Sequence, residues 1–365
     1  MDQSAPDFSP DPKGGCNYCN DYLKGPSESS GITATHTTLD KDTLIKKLIS
    51  KRSPTSRYDC IVGVSGGVDS SLVLIDAVES GLRPLAVHMD NGWNSELAQN
   101  NIFNLVTKLG VDLDTHVIDW NEYRSLLNAF LEADVLDVEL LYDNAMIAVN
   151  YSMAKKYGLK YILGGENYRT EGFRMPPGWN WFKYDKANIK AIGRTYGVNK
   201  LRTFPAIGTL DLFKYQMLHR IRWVRYLDCL DYDYRKTLDR LVTEFNYKPY
   251  PYKHYESVFT RFYQGYILPT KFRIDKRRIH LSPLILNGDL KRDEALSKLQ
   301  SIAYPSEREL EIDIDYFLQK MQWKREDLDN YLSRPSKPHS SYKSELSLWN
   351  FSKKIYKSFI HLKNR

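Results

Sequence analysis

The sequence predicts an α/β fold: a doubly wound, mostly parallel sheet with a small cysteine-containing N-terminal segment before it and a mainly helical region after it. Three observations lead there. Short apolar, β-rich runs alternate with helical periods between residues 58 and 166, as parallel sheets with crossover helices require. The first such run enters a glycine pair that opens a helix. Small or polar clusters recur at the ends of the later strands, where ligands of open parallel sheets bind.

In chain order, residues 1 to about 35 are rich in Pro, Gly, Ser, Asp and Asn and read as loops around the pair Cys16 and Cys19. Leu44, Ile45, Leu48 and Ile49 give residues 40–51 helical spacing. Strands follow at 60–64, 84–88, 114–118 and 161–163, with helices at 68–80, 95–109, 122–131 and 146–157. From Asn167 regular periods fade and aromatic residues crowd in. The expected domains are an N-terminal loop segment (1–38), an α/β domain (39–166), an aromatic insertion (167–235) and a mainly helical C-terminal region (236–365).

Composition narrows the class. A chain of 365 residues that is 42% hydrophobic and 13% aromatic buries one large core or two smaller ones and is neither disordered nor fibrous. It has no apolar run of about 18 residues, and its acidic, polar start at Met1, Asp2 and Gln3 lacks the pattern of a signal peptide. A cytoplasmic protein is the expectation. Four cysteines do not make a disulfide framework. The net charge of +7, with Lys and Arg dense at 271–278 and 353–365, raises nucleic-acid binding. That excess is modest beside 45 acidic residues, and an enzyme handling anionic substrates also needs local positive charge.

The chemistry is carried by Ser65-Gly66-Gly67-Val68-Asp69-Ser70-Ser71. Successive backbone N–H groups at the positive end of a helix converge on one spot and bind phosphate. The hydroxyls of Ser65, Ser70 and Ser71 add donors, and Asp69 is available to hold Mg²⁺. No lysine lies in the loop, so this is not a Walker-type site, and a cation from elsewhere must offset charge on a leaving pyrophosphate. Lys271 is the candidate, with Lys276 and Arg277 behind it; a solvated basic run is the alternative. At the next strand ends, His88 and Asp90 are candidates for adenine or ribose contacts, and Gly164 with Gly165 for close approach to the nucleotide. Each cluster also reads as a plain turn.

The segment after Asn167 combines ring faces suited to sugars with arginines suited to anions. Asn167, Glu171, Arg174, Trp179 and Trp181 are its candidate acceptor residues, with Glu171 as a base. Packing of the same aromatics is the competing reading.

The loop resembles the PP-loop of the ATP pyrophosphatase superfamily, which has a HUP-like fold and includes GMP, NAD and argininosuccinate synthetases and tRNA thiolases. Several further stretches, taken together with the loop, are similar to N-acetyl sugar amidotransferases of surface polysaccharide biosynthesis. They are Cys16-Asn-Tyr-Cys19, Gly164-Gly-Glu-Asn167, Glu171 with Trp179, Asn199-Lys-Leu-Arg-Thr-Phe-Pro205 and the block from Thr270 to Ser282. That resemblance implies an ATP- and magnesium-dependent enzyme that adenylates the N-acetyl oxygen of an acetamido sugar, free or nucleotide-linked. Ammonia then displaces AMP to give an acetamidino sugar, as in lipopolysaccharide or O-antigen assembly. It also implies a separate glutaminase and cyclase-like barrel as the ammonia source, since Cys60 and Cys229 sit in apolar contexts that read as core. Relatives carry a second Cys-x-x-Cys upstream that completes a zinc site. Here only Cys16 and Cys19 are present, so either the chain start is truncated or the pair no longer binds zinc. The alternative function is a PP-loop tRNA-modifying enzyme; a non-enzymatic scaffold is the third.

Overall fold

The computed structural model describes residues 1–12, 14–25, 40–52, 55–250 and 255–363. The expected N-terminal loop segment from 26 to 38 therefore lies outside the described residues. Five parallel strands form one sheet: β1 (Cys60–Gly63), β2 (Pro84–Asp90), β3 (Leu113–Val117), β4 (Tyr161–Gly164) and β5 (Arg222–Arg225). Their order is β3-β2-β1-β4-β5, so the chain winds outward from β1 and then returns to its other side. That reversal opens a crevice between the carboxyl ends of β1 and β4. The doubly wound parallel sheet expected from the alternation is present.

The helices of this half are α1 (Asn17–Leu23), α2 (Lys41–Ser50), α3 (Val68–Glu79), α4 (Glu96–Leu109), α5 (Trp120–Glu132) and α6 (Leu140–Lys156). Their starts follow capping chemistry: the side chains of Asp40, Ser95 and Asp119 accept from Thr43, Ala98 and Glu122 N–H groups. One sheet face packs Ile61, Leu85 and Ile162 against α5 and α6. The other packs Val62, Ala86 and Leu163 against α2, α3 and α4.

Two boundaries differ from expectation. Helix α6 begins at Leu140, six residues before the expected Met146, because its first turns bury Leu140, Leu141, Asn144 and Ala145 on nearly all sides and show no amphipathic period. Strand β5 lies inside the stretch expected to be insertion, so the sheet extends past residue 166. Its Arg222-Trp-Val-Arg225 sequence is too short to signal a strand, yet Gly164 and Arg225 pair in register.

Beyond β4 come α7 (Tyr168–Glu171), α8 (Lys186–Thr195) and α9 (Thr209–Phe213), the last running into a π-turn at Lys214–Leu218. After β5 the chain is helical: α10 (Tyr234–Phe245), α11 (Val258–Phe262), α12 (Leu268–Phe272), α13 (Arg277–Leu286), α14 (Arg292–Gln300), α15 (Glu307–Met321), α16 (Arg325–Ser333) and α17 (Leu346–Lys363). The C-terminal region joins the sheet domain through Trp93, which is fully buried against Phe259 and Phe317. Short bridges also tie Asn94 to Ser257. Among the described residues no helix is long and apolar enough to cross a membrane.

Candidate active site

The crevice at the β1/β4 reversal is built from the glycine loop. Gly66 adopts φ +84°, and a Cβ there would stand 2.7 Å from the Ala98 carbonyl oxygen, so only glycine makes this turn. Tyr247 and Tyr250, from beyond α10, both donate to the Gly66 carbonyl at 3.0 Å and hold the loop down. Gly67 then caps α3 with no side chain of its own, and the first helical bond is Ser71 N–H to Gly67 O. The N–H groups of Val68, Asp69 and Ser70 precede that bond, at the positive end of a 12-residue helix. Gly165 leaves the space beside them open: a Cβ would meet Ser70 N at 3.0 Å. This cradle fits a phosphate group.

Side chains sort into those that face the crevice and those that do not. Ser65, Asp69 and Ser70 are half-buried. The Ser65 and Ser70 hydroxyls lie 3.3 Å apart. Asp69 accepts a hydrogen bond from Tyr232, and burial, with the Asp69 charge, pushes the Tyr232 phenol far up. Asp69 is a half-buried carboxylate at the loop, of the donor type that Mg²⁺ takes, an ion that needs only one or two protein carboxylates. Ser71, expected to donate to phosphate, is 2% exposed and donates to Gly67 O at 2.7 Å, so its hydroxyl serves the helix instead. Val68 buries its side chain and contributes only its backbone.

At the end of β4, Gly164 and Gly165 allow close approach, as expected. Asn167 is 3% exposed and caps α7 by accepting from Thr170 N–H at 2.8 Å. Its Nδ2 has no hydrogen-bond partner among the described residues. Glu171, exposed on α7, stands near enough for its charge to act on both Glu166 and Tyr232. Glu166 was not singled out from sequence. It accepts from Trp223 Nε1 at 3.2 Å, and burial, with the Glu171 charge, raises its carboxyl above the usual range.

Seven expected site residues, along with the zinc pair, are placed elsewhere. His88 is 7% exposed, and both ring nitrogens are used, one with Val64 O at 2.8 Å and one accepting from Asn94 at 3.0 Å. It shapes the β2 exit; Asp90, half-buried beside it, accepts from Gly92 N–H at 2.8 Å and forms the turn. Lys271 has a side chain 1% exposed and donates to Asp134 (3.1 Å), Tyr331 O (2.5 Å) and Arg334 O (2.8 Å), which occupies all three of its protons. It anchors α12 to α16 and is no pyrophosphate cation. Arg277 caps the end of α14, donating to Lys298 O at 2.8 Å and Ser301 O at 3.0 Å. Lys276 pairs with Glu139 at 2.6 Å. Arg174 binds Asp7 at 2.9 Å and lies over the Tyr18 ring. Trp179 is 3% exposed and packs with Tyr18, Tyr22, Phe173 and Ile279, so the packing alternative holds for it.

Zinc does not fit the cysteine pair. Cys16 caps α1, its sulfur 3.1 Å from that of Cys19, and among the described residues no group of three or more His, Cys, Asp or Glu is placed to hold a metal. Two thiols supply half of a tetrahedral set.

Comparison with known proteins adds a match over part of the chain. Among curated proteins none matches the chain in sequence. Solved structures similar to parts of it include a predicted subunit of tRNA methyltransferase from Methanocaldococcus jannaschii, at 15% identity and TM-score 0.29, covering 50% of this chain and 73% of that one. The NH3-dependent NAD synthetase from Campylobacter jejuni is 17% identical at TM-score 0.29, covering 61% and 84%. The glutamine-dependent NAD+ synthetase from Acinetobacter baumannii is 14% identical at TM-score 0.30, covering 72% and 44%. With values this low, the fold rests on the sheet order above. Residues 256–356, which supply the crevice with Glu256 and the C-terminal helices, match the family of LPS biosynthesis protein WbpG-like, C-terminal domain.

Proposed function

We propose that the protein is an ATP-dependent enzyme of surface glycan biosynthesis that amidates the N-acetyl group of an acetamido sugar. The observation that carries this is the meeting of two parts at one crevice. The open first turn of α3 supplies an anion cradle, and Glu256, the first residue of the WbpG-like stretch, stands against it: a Cβ on Gly67 would meet Glu256 Oε1 at 2.5 Å.

An amide carbonyl is a poor electrophile, so its oxygen must first become a leaving group. Transfer of AMP from ATP to that oxygen, with loss of pyrophosphate, achieves this; ammonia then adds to the carbon, AMP leaves and one proton is shed. The N–H groups of Val68, Asp69 and Ser70 would hold the phosphates, and Ser65 and Ser70 would add hydroxyl donors. Bound at Asp69, Mg²⁺ would supply charge neutralisation. Glu166 is placed to take up the proton, because a carboxyl raised by burial accepts one more readily at neutral pH. A separate glutaminase with a cyclase-like barrel is the proposed ammonia source.

The tRNA-thiolating alternative needs a reactive thiol at the crevice. Cys60 is fully buried at the start of β1, and burial, with Asp228, pushes Cys229 up to about 11, which keeps both protonated. The test is incubation of the chain with ATP, Mg²⁺, ammonium and a panel of acetamido sugars. The expected result is AMP, PPi and a product with oxygen exchanged for an imino group. AMP formation that requires tRNA and ignores every sugar would overturn the reading.

A further inference from the structure

The glycine loop holds no lysine, and the cations expected to assist it, Lys271, Lys276 and Arg277, are bonded elsewhere in the fold. Pyrophosphate leaving ATP must draw its compensating charge from another element. Strand β5 brings one. Its last residue, Arg225, pairs in register with Gly164 at the end of β4. Gly165, the next residue, packs against the cradle: a Cβ there would meet Ser70 N at 3.0 Å. Arg225 therefore stands one strand spacing, about 4.8 Å, beyond the glycine pair that borders the anion site.

The pleat sets the side on which its side chain leaves the strand. Trp223 and Arg225 are two residues apart and share one face. Trp223 runs its indole across Gly164, where a Cβ would stand 2.5 Å from Nε1, and donates to Glu166 at 3.2 Å. Arg225 lies on that same face about 6.6 Å nearer the carboxyl edge, where the glycine loop opens. It is half-buried and so open to solvent in part. The local field agrees with this placement: burial raises the Glu166 carboxyl, and the Arg225 charge opposes that rise. An arginine stem is longer than one strand spacing, so the guanidinium can cross the glycine pair to a phosphate held by the first turn of α3. Other cations nearby are engaged or turned outward. Arg169 is held by Asp289 at 2.8 Å and Arg174 by Asp7 at 2.9 Å. Lys248, between the two tyrosines that hold Gly66, is exposed, with its backbone N–H bonded to Asn101 at 2.9 Å, and is the rival cation.

We propose that Arg225 is the cation that binds the β- and γ-phosphates of ATP and stabilises the pyrophosphate as it leaves. This deepens the proposed function and rests on it for the reaction. As the amide oxygen of the acceptor forms its bond to the α-phosphorus, the bond from that phosphorus to the bridging oxygen breaks, and the electron pair stays with pyrophosphate. The negative charge gained there meets a guanidinium that keeps its proton throughout and offers paired N–H donors. Arg225 neither gives nor takes a proton in the step. AMP carries no β- or γ-phosphate, so its binding is indifferent to Arg225.

The test is calorimetric titration of the full chain with ATP and Mg²⁺, with AMP and with pyrophosphate, comparing the parent with Arg225→Met, Arg225→Lys and Lys248→Ala. Arg225→Met should weaken ATP and pyrophosphate binding about tenfold, the loss of a charge-assisted contact, and leave AMP binding unchanged. Arg225→Lys, which keeps the charge but not the fork, should fall between. A merely structural arginine would lose ATP and AMP affinity together, with a lower Tm, and that result overturns the assignment. So do a parental ATP-to-AMP ratio in Arg225→Met, a ratio narrowed by Lys248→Ala instead, and a parent that does not distinguish ATP from AMP. Should Arg225→Met not fold, the ratio in Arg225→Lys decides in the same way. A parent that prefers ATP through Arg225 yet releases no pyrophosphate with any acetamido sugar leaves the assignment standing and overturns the amidation reading.

Discussion

A methyl group at Gly66 would meet the Ala98 backbone and force an L-residue into φ +84°, an expense of at least about 1–2 kcal/mol before the clash is relieved. Gly66→Ala should therefore lower Tm and abolish ATP-induced stabilisation together; a variant with parental ATP response would show that the loop tolerates another path. Asp69→Ala acts differently, because its half-buried carboxylate stands at the loop and accepts a hydrogen bond from Tyr232. PPi release should be lost while Tm stays within a few degrees, and undiminished PPi release would remove Asp69 from the site. Trp179→Ala reverses the expectation for a sugar-stacking residue. With its indole buried among Tyr18, Tyr22 and Phe173, truncation should destabilise by about 3–5 kcal/mol in denaturant melts and leave the sugar KM unchanged.

Among the elements, the 3₁₀ turn at His339–Ser341 pins the C-terminal region to the rest. His339 accepts from Asp137 N–H at 3.1 Å, bonds Asn188 Oδ1 at 2.7 Å and stacks on Trp181. Both ring nitrogens are satisfied only in the neutral form. Burial lowers its pKa from 6.5 to about 4. Between those values the unfolded chain binds a proton that the folded chain refuses, so this contribution is present above about pH 6.5 and is lost as pH falls toward about 4, a swing of about 3 kcal/mol. His339→Gln should be less stable at pH 7 but show a shallower decline of Tm from pH 6.5 to 4. Equal slopes in variant and parent would mean that other groups govern the acid limb.

For the whole molecule, the N-terminal segment ties distant parts together: Met1 donates its terminal N–H to Ser282 at 3.0 Å, Arg278 bonds Asp2 at 2.7 Å, and Tyr22 donates to the Arg169 carbonyl at 2.9 Å. In the basic block near residue 275, Lys271, Lys276, Arg277 and Arg278 are each ion-paired, Arg278 with the N-terminal segment and the others elsewhere in the fold. If ammonia comes from a partner, the isolated chain should turn over sugar with free ammonium and ignore glutamine until the glutaminase and barrel are added. Amidination with glutamine alone, in ammonium-free buffer, would place the ammonia source within this chain.

Local sequence determined what local physics controls. The run from Cys60 to Ser71 specifies strand, turn and helix through β-rich residues, a pair of glycines and a helix start, and the crevice loop was legible for that reason. The order of alternating elements likewise sufficed for a parallel sheet. Only the tertiary structure decided which charged and aromatic residues remain available for chemistry. Lys271 and Trp179 look like site residues because a cation and a ring suit ATP and sugar, but Asp134, 137 residues away, and Tyr18, 161 residues away, claim them first. The reverse holds for Glu256, whose sequence context carries no motif, and for Glu166, whose role the pattern Gly164-Gly-Glu-Asn167 did not single out. Their placement depends on β4 and the start of the C-terminal region meeting beside the glycine loop, and burial in packed surroundings is a property of the neighbours, which no local pattern encodes.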